Sequence, residues 1–154
     1  MWNLENINKR LHETSLPGKA WGFCGSEAVS RIENGLDVHL GPQLREFINT
    51  VGNLRVSPFS ILLSGDGTGI YGAVPQTRQL WAASPNLASL KAIKLMEHAG
   101  EDYFYFPDDE RICAYDSTLI ALGGETLAWI SFDIFVDWIF EEARELGGKQ
   151  RGHY

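Results

Sequence analysis

The apolar residues of the first fifty positions recur at helical spacing. A breaker cluster at 15–18 ends a weak N-terminal helical turn, whose apolar positions are Leu4, Ile7 and Leu11. A second short helix is predicted to begin after a cap at Ser26 and to end at Gly35, because glycine tolerates a left-handed C′ conformation. Residues 36–40 then form an extended link.

Two predicted helices carry the clearest apolar stripes. The first begins at Pro42, ends at Gly52-Asn53, and has a stripe made of Leu44, Phe47, Ile48 and Val51. The second closes the chain: Ser131 caps it, Asp133 lies in its first turn, and Gly147-Gly148 ends it. Its stripe consists of Phe132, Phe135, Val136, Ile139, Ala143 and Leu146.

Between these helices the period shortens to that of strands. Apolar runs at 59–63 and 70–74 around the glycine-rich segment 65–69 predict a hairpin. A helix is predicted to open at 84–86 and to end before Gly100, with an apolar face of Leu87, Leu90, Ile93, Leu95 and Met96. Further strands are predicted at 103–106, 112–115, 119–122 and 126–130, with turns at 107–110 and at Gly123-Gly124.

This order of elements predicts the fold class. We expect one α+β domain, a mainly antiparallel sheet built as a meander of hairpins, with helices packed on one face and a closing C-terminal helix. The chain has 154 residues, enough for one core and too few for two. We expect 1–25 to be an N-terminal accessory arm, 26–146 the domain and 147–154 a flexible tail.

Charge is distributed unevenly along the chain. The formal net charge is −7; residues 1–96 carry nine basic and seven acidic side chains, whereas 97–145 carry thirteen acidic side chains and two arginines. Binding of phosphate needs clustered Lys and Arg, so this balance argues against nucleic acid as a direct partner. It favours a basic partner, and a solvated acidic face that aids solubility is the alternative.

The chain carries no signal for export or for membrane insertion. It contains no run of 18 apolar residues, and its first six residues have neither a basic nor an apolar leader region. We therefore expect a cytoplasmic protein that makes no membrane contact.

Candidate chemistry along the chain is sparse. Cys24 and Cys113 have no metal-ligand spacing and the four histidines form no zinc motif, so no metal and no cofactor are expected. The segment 65–69 lacks the lysine of a phosphate loop. We predict a protein that is not an enzyme; the alternative is a small hydrolase that uses a carboxylate with His39 or His98.

Several segments follow one another in an order typical of a known family. They are the helix end at 32–35, Leu40 and Pro42, the helix 44–53 with Arg45-Glu46-Phe47 at its centre, the strand 112–117 and the closing helix at 131–139. Together they resemble the SUKH superfamily, also called the Smi/Knr-like domain, over residues 26–146. Gly41 is a departure, because it splits the Leu-Pro step of the family.

The resemblance implies a function. Many bacterial members of this superfamily are immunity proteins that bind and neutralise the catalytic domain of a cognate polymorphic toxin. Others are regulatory or scaffold proteins that bind a cellular partner. We therefore expect a non-catalytic protein-binding domain, in first place an immunity protein whose toxin is basic, for example a nuclease. A scaffold is the alternative.

A partner-binding surface is predicted mainly on the closing helix. On a helical wheel Ile134 and Trp138 fall opposite the apolar stripe, on the side that carries two glutamates. A solvent-facing Trp among carboxylates is typical of an interface with a basic partner. The alternative is that residues 1–25 or the helix after Pro85 cover Trp138. The residues predicted to bind the partner are Trp138, Glu141, Glu145, Asp108 and Asp109.

Overall fold

Helices and antiparallel strands follow one another in the computed structural model, which describes residues 2–20, 27–61, 73–116 and 125–151. The helices are α1 (Leu4–Thr14), α2 (Ala28–Leu36), α3 (Pro42–Thr50), α4 (Ala73–Ala83), α5 (Pro85–Ser89) and α6 (Phe132–Arg151). The strands are β1 (Gly18–Ala20), β2 (Leu54–Val56), β3 (Phe59–Ile61), β4 (Ile93–His98), β5 (Glu101–Tyr105), β6 (Ile112–Asp116) and β7 (Glu125–Trp129). The predicted α+β class with a closing helix is confirmed.

The described strands form two antiparallel sheets rather than one. One sheet has three strands in the order β1-β2-β3, and the other has four in the order β4-β5-β6-β7. The four-stranded sheet is a meander, because each strand pairs with the next one in the chain. The three-stranded sheet brings β1 beside β2, which lies more than thirty positions further along the chain.

The four-stranded sheet is buried on both faces. Along β5 and β6, successive side chains alternate between the faces, as strand geometry requires. The main core takes Tyr103, Tyr105, Ile112 and Ala114, and a second, smaller core takes Phe104, Phe106, Cys113 and Tyr115. Leu87 of α5 belongs to this smaller core, and Trp81 of α4 packs against it. Helices therefore cover the second face of this sheet too, whereas the sequence predicts helices on one face only.

The residues predicted as an accessory arm contribute to the main core. Ile7 of α1 is fully buried there, and Trp2 stacks on Phe140 of α6 with ring centroids 5.4 Å apart. The strand β1 pairs with β2 in register from Gly18 opposite Val56. Residues 2–20 are thus built into the domain through a helix and a strand.

The middle of the chain differs most from the prediction. The helix that opens at Pro85 ends at Ser89, and its predicted continuation is the strand β4. Apolar residues at 93, 95 and 96 suit a strand with a bulge as well as a helical face, and pairing with β5 decides between them. The predicted strand at 70–74 is wrong at Ala73 and Val74, which begin α4.

Two helix ends also differ from the prediction. The left-handed residue after α2 is Asp37, with φ 53°, and not Gly35. Gly35 lies inside α2, where a Cβ atom would come within 2.9 Å of Val74 Cγ1. α6 runs through Gly147-Gly148 to Arg151, since each glycine disfavours a helix by only about 1 kcal/mol.

Some predicted features lie outside the described residues. They are the cap at Ser26, Cys24, the turn at 65–69, the strand at 119–122 and the turn at Gly123-Gly124.

An ion pair holds the connection between α2 and α3. Nη2 of Arg45 lies 2.8 Å from both carboxylate oxygens of Glu33, and the N–H of Leu40 donates to Glu33 Oε2 at 2.8 Å. The neighbouring Gly41 donates its N–H to the hydroxyl of Tyr105 at 2.9 Å, and a Cβ atom there would overlap the side chain of Glu110.

We expect this network to depend on pH. Burial would raise the pKa of Glu33, but the hydrogen bond from the Leu40 N–H and the charges of Arg45 and His39 outweigh burial and hold the pKa below its ordinary value of 4.5. Because the folded state binds this proton more weakly than the unfolded state, the stabilisation is present above about pH 4.5 and is lost as the pH falls through the folded pKa.

The variant Glu33→Gln tests this expectation. It should lower the free energy of unfolding by about 1 to 3 kcal/mol at neutral pH and by less near pH 3. Urea titrations of both proteins at the two pH values measure the difference. Glu46→Gln on α3 is the control, because Glu46 makes no ion pair with the described residues. A loss of equal size at both pH values would contradict the linkage.

Candidate partner-binding surface

The chain turns sharply from β7 into α6, and this corner determines where the predicted partner-binding surface lies. The hydroxyl of Ser131 accepts the N–H of Ile134 at 3.3 Å, which confirms the predicted cap. The N–H of Asp133 donates to Gln43 Oε1 of α3 at 3.0 Å. Both bonds use donors that the first turn of a helix leaves without partners in the helix itself.

Trp138 lies half-buried in a cluster of aromatic rings. Its ring centroid is 4.8 Å from that of Trp129, 5.4 Å from that of Phe59 and 6.0 Å from that of Tyr103. The expectation that it faces solvent is therefore wrong, because β3, β5 and β7 each place a ring against this side of α6. The alternative prediction is that residues 1–25 or the helix after Pro85 cover Trp138. None of the described rings that contact Trp138 belongs to residues 1–25 or to α5.

The two glutamates of the predicted surface differ in their surroundings. Glu141 is exposed and lies 2.8 Å from Nη2 of Arg144 and 3.4 Å from Nη2 of Arg10. Glu145 is also exposed and forms no ion pair with the described residues. Among the described residues, Glu141 is thus partly neutralised and Glu145 is not.

A glutamate of α6 also affects the pKa of a buried tyrosine, Tyr103. Burial raises the pKa of the Tyr103 hydroxyl to about 12, and the negative charges of Glu101 and Glu142 add to this effect. Glu142 is half-buried on the same side of α6 as Trp138 and forms no ion pair with the described residues. The Tyr103 hydroxyl therefore stays neutral, and the negative potential on this side of α6 is preserved.

Asp108 and Asp109 lie in the turn between β5 and β6. Asp109 accepts the N–H of Arg111 at 3.2 Å and pairs with its Nε at 3.1 Å, so it shapes the turn. Asp108 is exposed. This turn is at the end of the sheet where α6 begins, as the hydrogen bond from Gly41 to Tyr105 and the contact of α3 with Asp133 indicate.

The structure therefore separates the two predicted acidic clusters. Glu145 lies twelve residues beyond Asp133, which corresponds to about 18 Å along the axis of α6. Trp138, Glu142 and Glu145 share one side of the helix, whereas Asp108 and Asp109 lie near its start.

A groove between α1 and α6 was not expected from the sequence. Its volume is about 370 Å³, and it is lined by Trp2, Asn6, Lys9, Arg10, Glu13, Asp133 and Asp137. The indole N–H of Trp2 donates to the carbonyl oxygen of Asp133 at 3.1 Å. The guanidinium of Arg10 lies over the ring of Phe140 at 5.5 Å and also pairs with Glu141. Trp2 and Arg10, which line this groove, are thus both engaged within the protein.

Three exposed apolar side chains at the β7 to α6 corner were also not predicted as a group. Leu127 is 47% exposed, Ile130 80% and Ile134 44%. The wheel placed Ile134 on the outer side of α6, and the structure confirms this position. All three lie at the corner that leads into α6, the helix that carries Glu141, Glu142 and Glu145 further along.

The two histidines of the alternative hydrolase prediction have different surroundings. Nδ1 of His39 is 3.3 Å from Glu33 Oε2, but the carboxylate is already bound by Arg45 and Leu40. His98 lies against the ring of Phe59, with centroids 4.5 Å apart. Neither histidine lines the groove between α1 and α6. Within the part of the chain that the structure describes, no three His, Cys, Asp or Glu side chains are grouped as metal ligands.

No family model matches the sequence, and no curated protein matches it. None of the described helices is long and apolar enough to cross a membrane.

Proposed function

We propose that the protein is a SUKH-type immunity protein, which binds the catalytic domain of a cognate toxin and blocks it. The observation that carries the proposal is the set of side chains on the outer side of α6. There Ile134 is exposed beside a half-buried Trp138, and Glu142 and Glu145 have no ion-pair partner among the described residues. An apolar centre with a charged rim is the arrangement that protein interfaces use.

The charge of this surface favours a basic partner. The segment 125–145 carries six acidic side chains and one arginine. Opposite charges accelerate association and exclude wrong partners, and many toxin domains that act on nucleic acid are basic. The order of segments that resembles the SUKH superfamily supports the same proposal.

Charge reversal on α6 tests the proposed surface. Because Glu141 already pairs with two arginines, the informative variant is Glu142→Lys with Glu145→Lys. We expect its association rate with the toxin domain to fall about tenfold at low salt and to depend less on salt than that of the original protein. Stopped-flow titrations at two salt concentrations measure both effects.

A matched control carries the same change of charge elsewhere. Glu5→Lys with Glu27→Lys reverses two exposed carboxylates outside the acidic segment. If both double variants slow association equally, the effect comes from net charge and the interface lies elsewhere.

A second experiment separates an immunity protein from a scaffold. A gene neighbour that encodes a large secreted protein would supply, as its C-terminal domain, the toxin to test. Co-expression should restore growth, and the purified protein should inhibit the toxin at equal concentration. A toxin that keeps its full activity in both assays contradicts the proposed immunity function and leaves the scaffold alternative.

A further inference from the structure

The described residues protect one edge of the four-stranded sheet and not the other. At the β4 edge, the N–H of Lys94 donates to the hydroxyl of Thr77 at 3.0 Å, and the indole N–H of Trp81 donates to the carbonyl oxygen of Ala92 at 2.8 Å. Thr77 is fully buried. Side chains of α4 thus satisfy backbone groups at the β4 edge, which is one way that proteins protect an edge strand.

The β7 edge has no such protection in the described residues. β7 pairs with β6 from Trp129 opposite Ile112 to Glu125 opposite Tyr115, and no described strand pairs with its other side. Alternate N–H and C=O groups of an edge strand point away from the sheet, where they can pair with another chain. The strand has five residues, which is an ordinary length for strand pairing.

The surroundings of this edge select the kind of chain that can pair with it. Leu127, Ile130 and Ile134 are three of the four large apolar side chains that are exposed in the described residues. They lie within eight positions of one another, at the end of β7 and the start of α6. They belong to the acidic segment 125–145 of the chain, so an incoming strand would gain from apolar and from basic side chains.

We propose that an extended segment of a basic protein partner adds to β7 as a fifth strand of this sheet. Its backbone would pair with the free edge, its apolar side chains would contact Leu127 and Ile134, and its Lys or Arg side chains would approach the glutamates of α6. A second copy of the chain is the less favourable occupant, because it would bring two such acidic segments together. This proposal rests on the proposed function in one respect only: it takes the partner to be a basic protein.

The test uses a synthetic peptide, so it does not depend on a toxin. The peptide has capped ends and alternates Lys with Val over about nine residues, the upper range of strand lengths. Hydrogen exchange of the full chain is measured with and without saturating peptide. We expect the β7 amides to exchange about tenfold more slowly with the peptide and the β4 amides to be unchanged.

Two peptides and two variants serve as controls. A peptide with Glu in place of Lys, and one with N-methylated backbone at alternate residues, should give no protection. Leu127→Lys should abolish protection by the Lys peptide, because it removes the apolar contact and repels the lysines. Leu90→Lys should not, because Leu90 is similarly exposed, at 43%, but lies at the end of α5.

The other outcomes either overturn the proposal or separate it from the proposed function. Protection at β4, or none at β7 under saturating peptide, removes the edge as a binding site. Concentration-dependent dimers that Leu127→Glu dissociates would make a second copy the occupant. If the peptide protects β7 but the toxin domain does not bind, the edge proposal stands and the immunity function fails.

Discussion

Replacing Phe135 with Ala is expected to lower the free energy of unfolding by about 3 to 5 kcal/mol. Phe135 is fully buried on α6, with its ring centroid 5.0 Å from that of Trp129 and 5.9 Å from that of Tyr103. Alanine would leave a cavity between α6 and the four-stranded sheet. The rings around this cavity are held by further aromatic neighbours, so they can fill it only in part.

Urea titration followed by far-UV circular dichroism measures this loss. Ile134→Ala is the matched control on the same helix, because Ile134 is 44% exposed; its change should stay within about 0.5 kcal/mol. Equal losses in the two variants would contradict the position of Phe135 at the centre of the core.

The variant Lys94→Met should have an effect of similar size. The carboxylate of Asp102 is buried, and its Oδ1 lies 3.3 Å from Lys94 Nζ but accepts no hydrogen bond from the described residues. The contact is therefore an ion pair without hydrogen-bond geometry. Removing Lys94 leaves a buried carboxylate without its counter-charge, which costs about 3 to 5 kcal/mol at neutral pH.

A double variant isolates the cause of this loss. Lys94→Met with Asp102→Leu removes both charges, and it should recover most of the stability, because an apolar pair of similar volume needs no counter-charge. The control Lys9→Met breaks an exposed ion pair with Glu13 and should change stability by no more than about 0.5 kcal/mol. A double variant as unstable as Lys94→Met alone would show that packing, not charge, causes the loss.

The candidate surface was only partly predictable from the sequence. The outer position of Ile134 and the exposure of Glu141 and Glu145 follow from the helical wheel of α6, which is a local property. Trp138 does not, because a wheel assumes that one side of a helix meets the protein. Here the stripe of α6 meets the core while Trp138 contacts rings from three strands.

The ion pairs and the hydrogen bonds that protect the β4 edge depend on the tertiary structure. Glu141 is neutralised in part by Arg10, which lies 131 positions away in the chain. The difference between the β4 and β7 edges depends on where α4 packs. The pattern of apolar residues within a strand does not distinguish a protected edge from an open one. In both β4 and β7 the apolar residues are placed for burial, whatever lies beside the strand.

The sequence by itself determined the α+β class, the stripes of α3 and α6, the strands β5, β6 and β7, and the concentration of negative charge after residue 97. These depend on the spacing of side chains within one element, which a single segment specifies. Only the tertiary structure decided that residues 93–98 form a strand, that residues 2–20 join the core, and that the strands divide into two sheets. The physical reason is that strand pairing and two-sided burial are satisfied by residues far away in the chain, so a short apolar run carries no record of its partner.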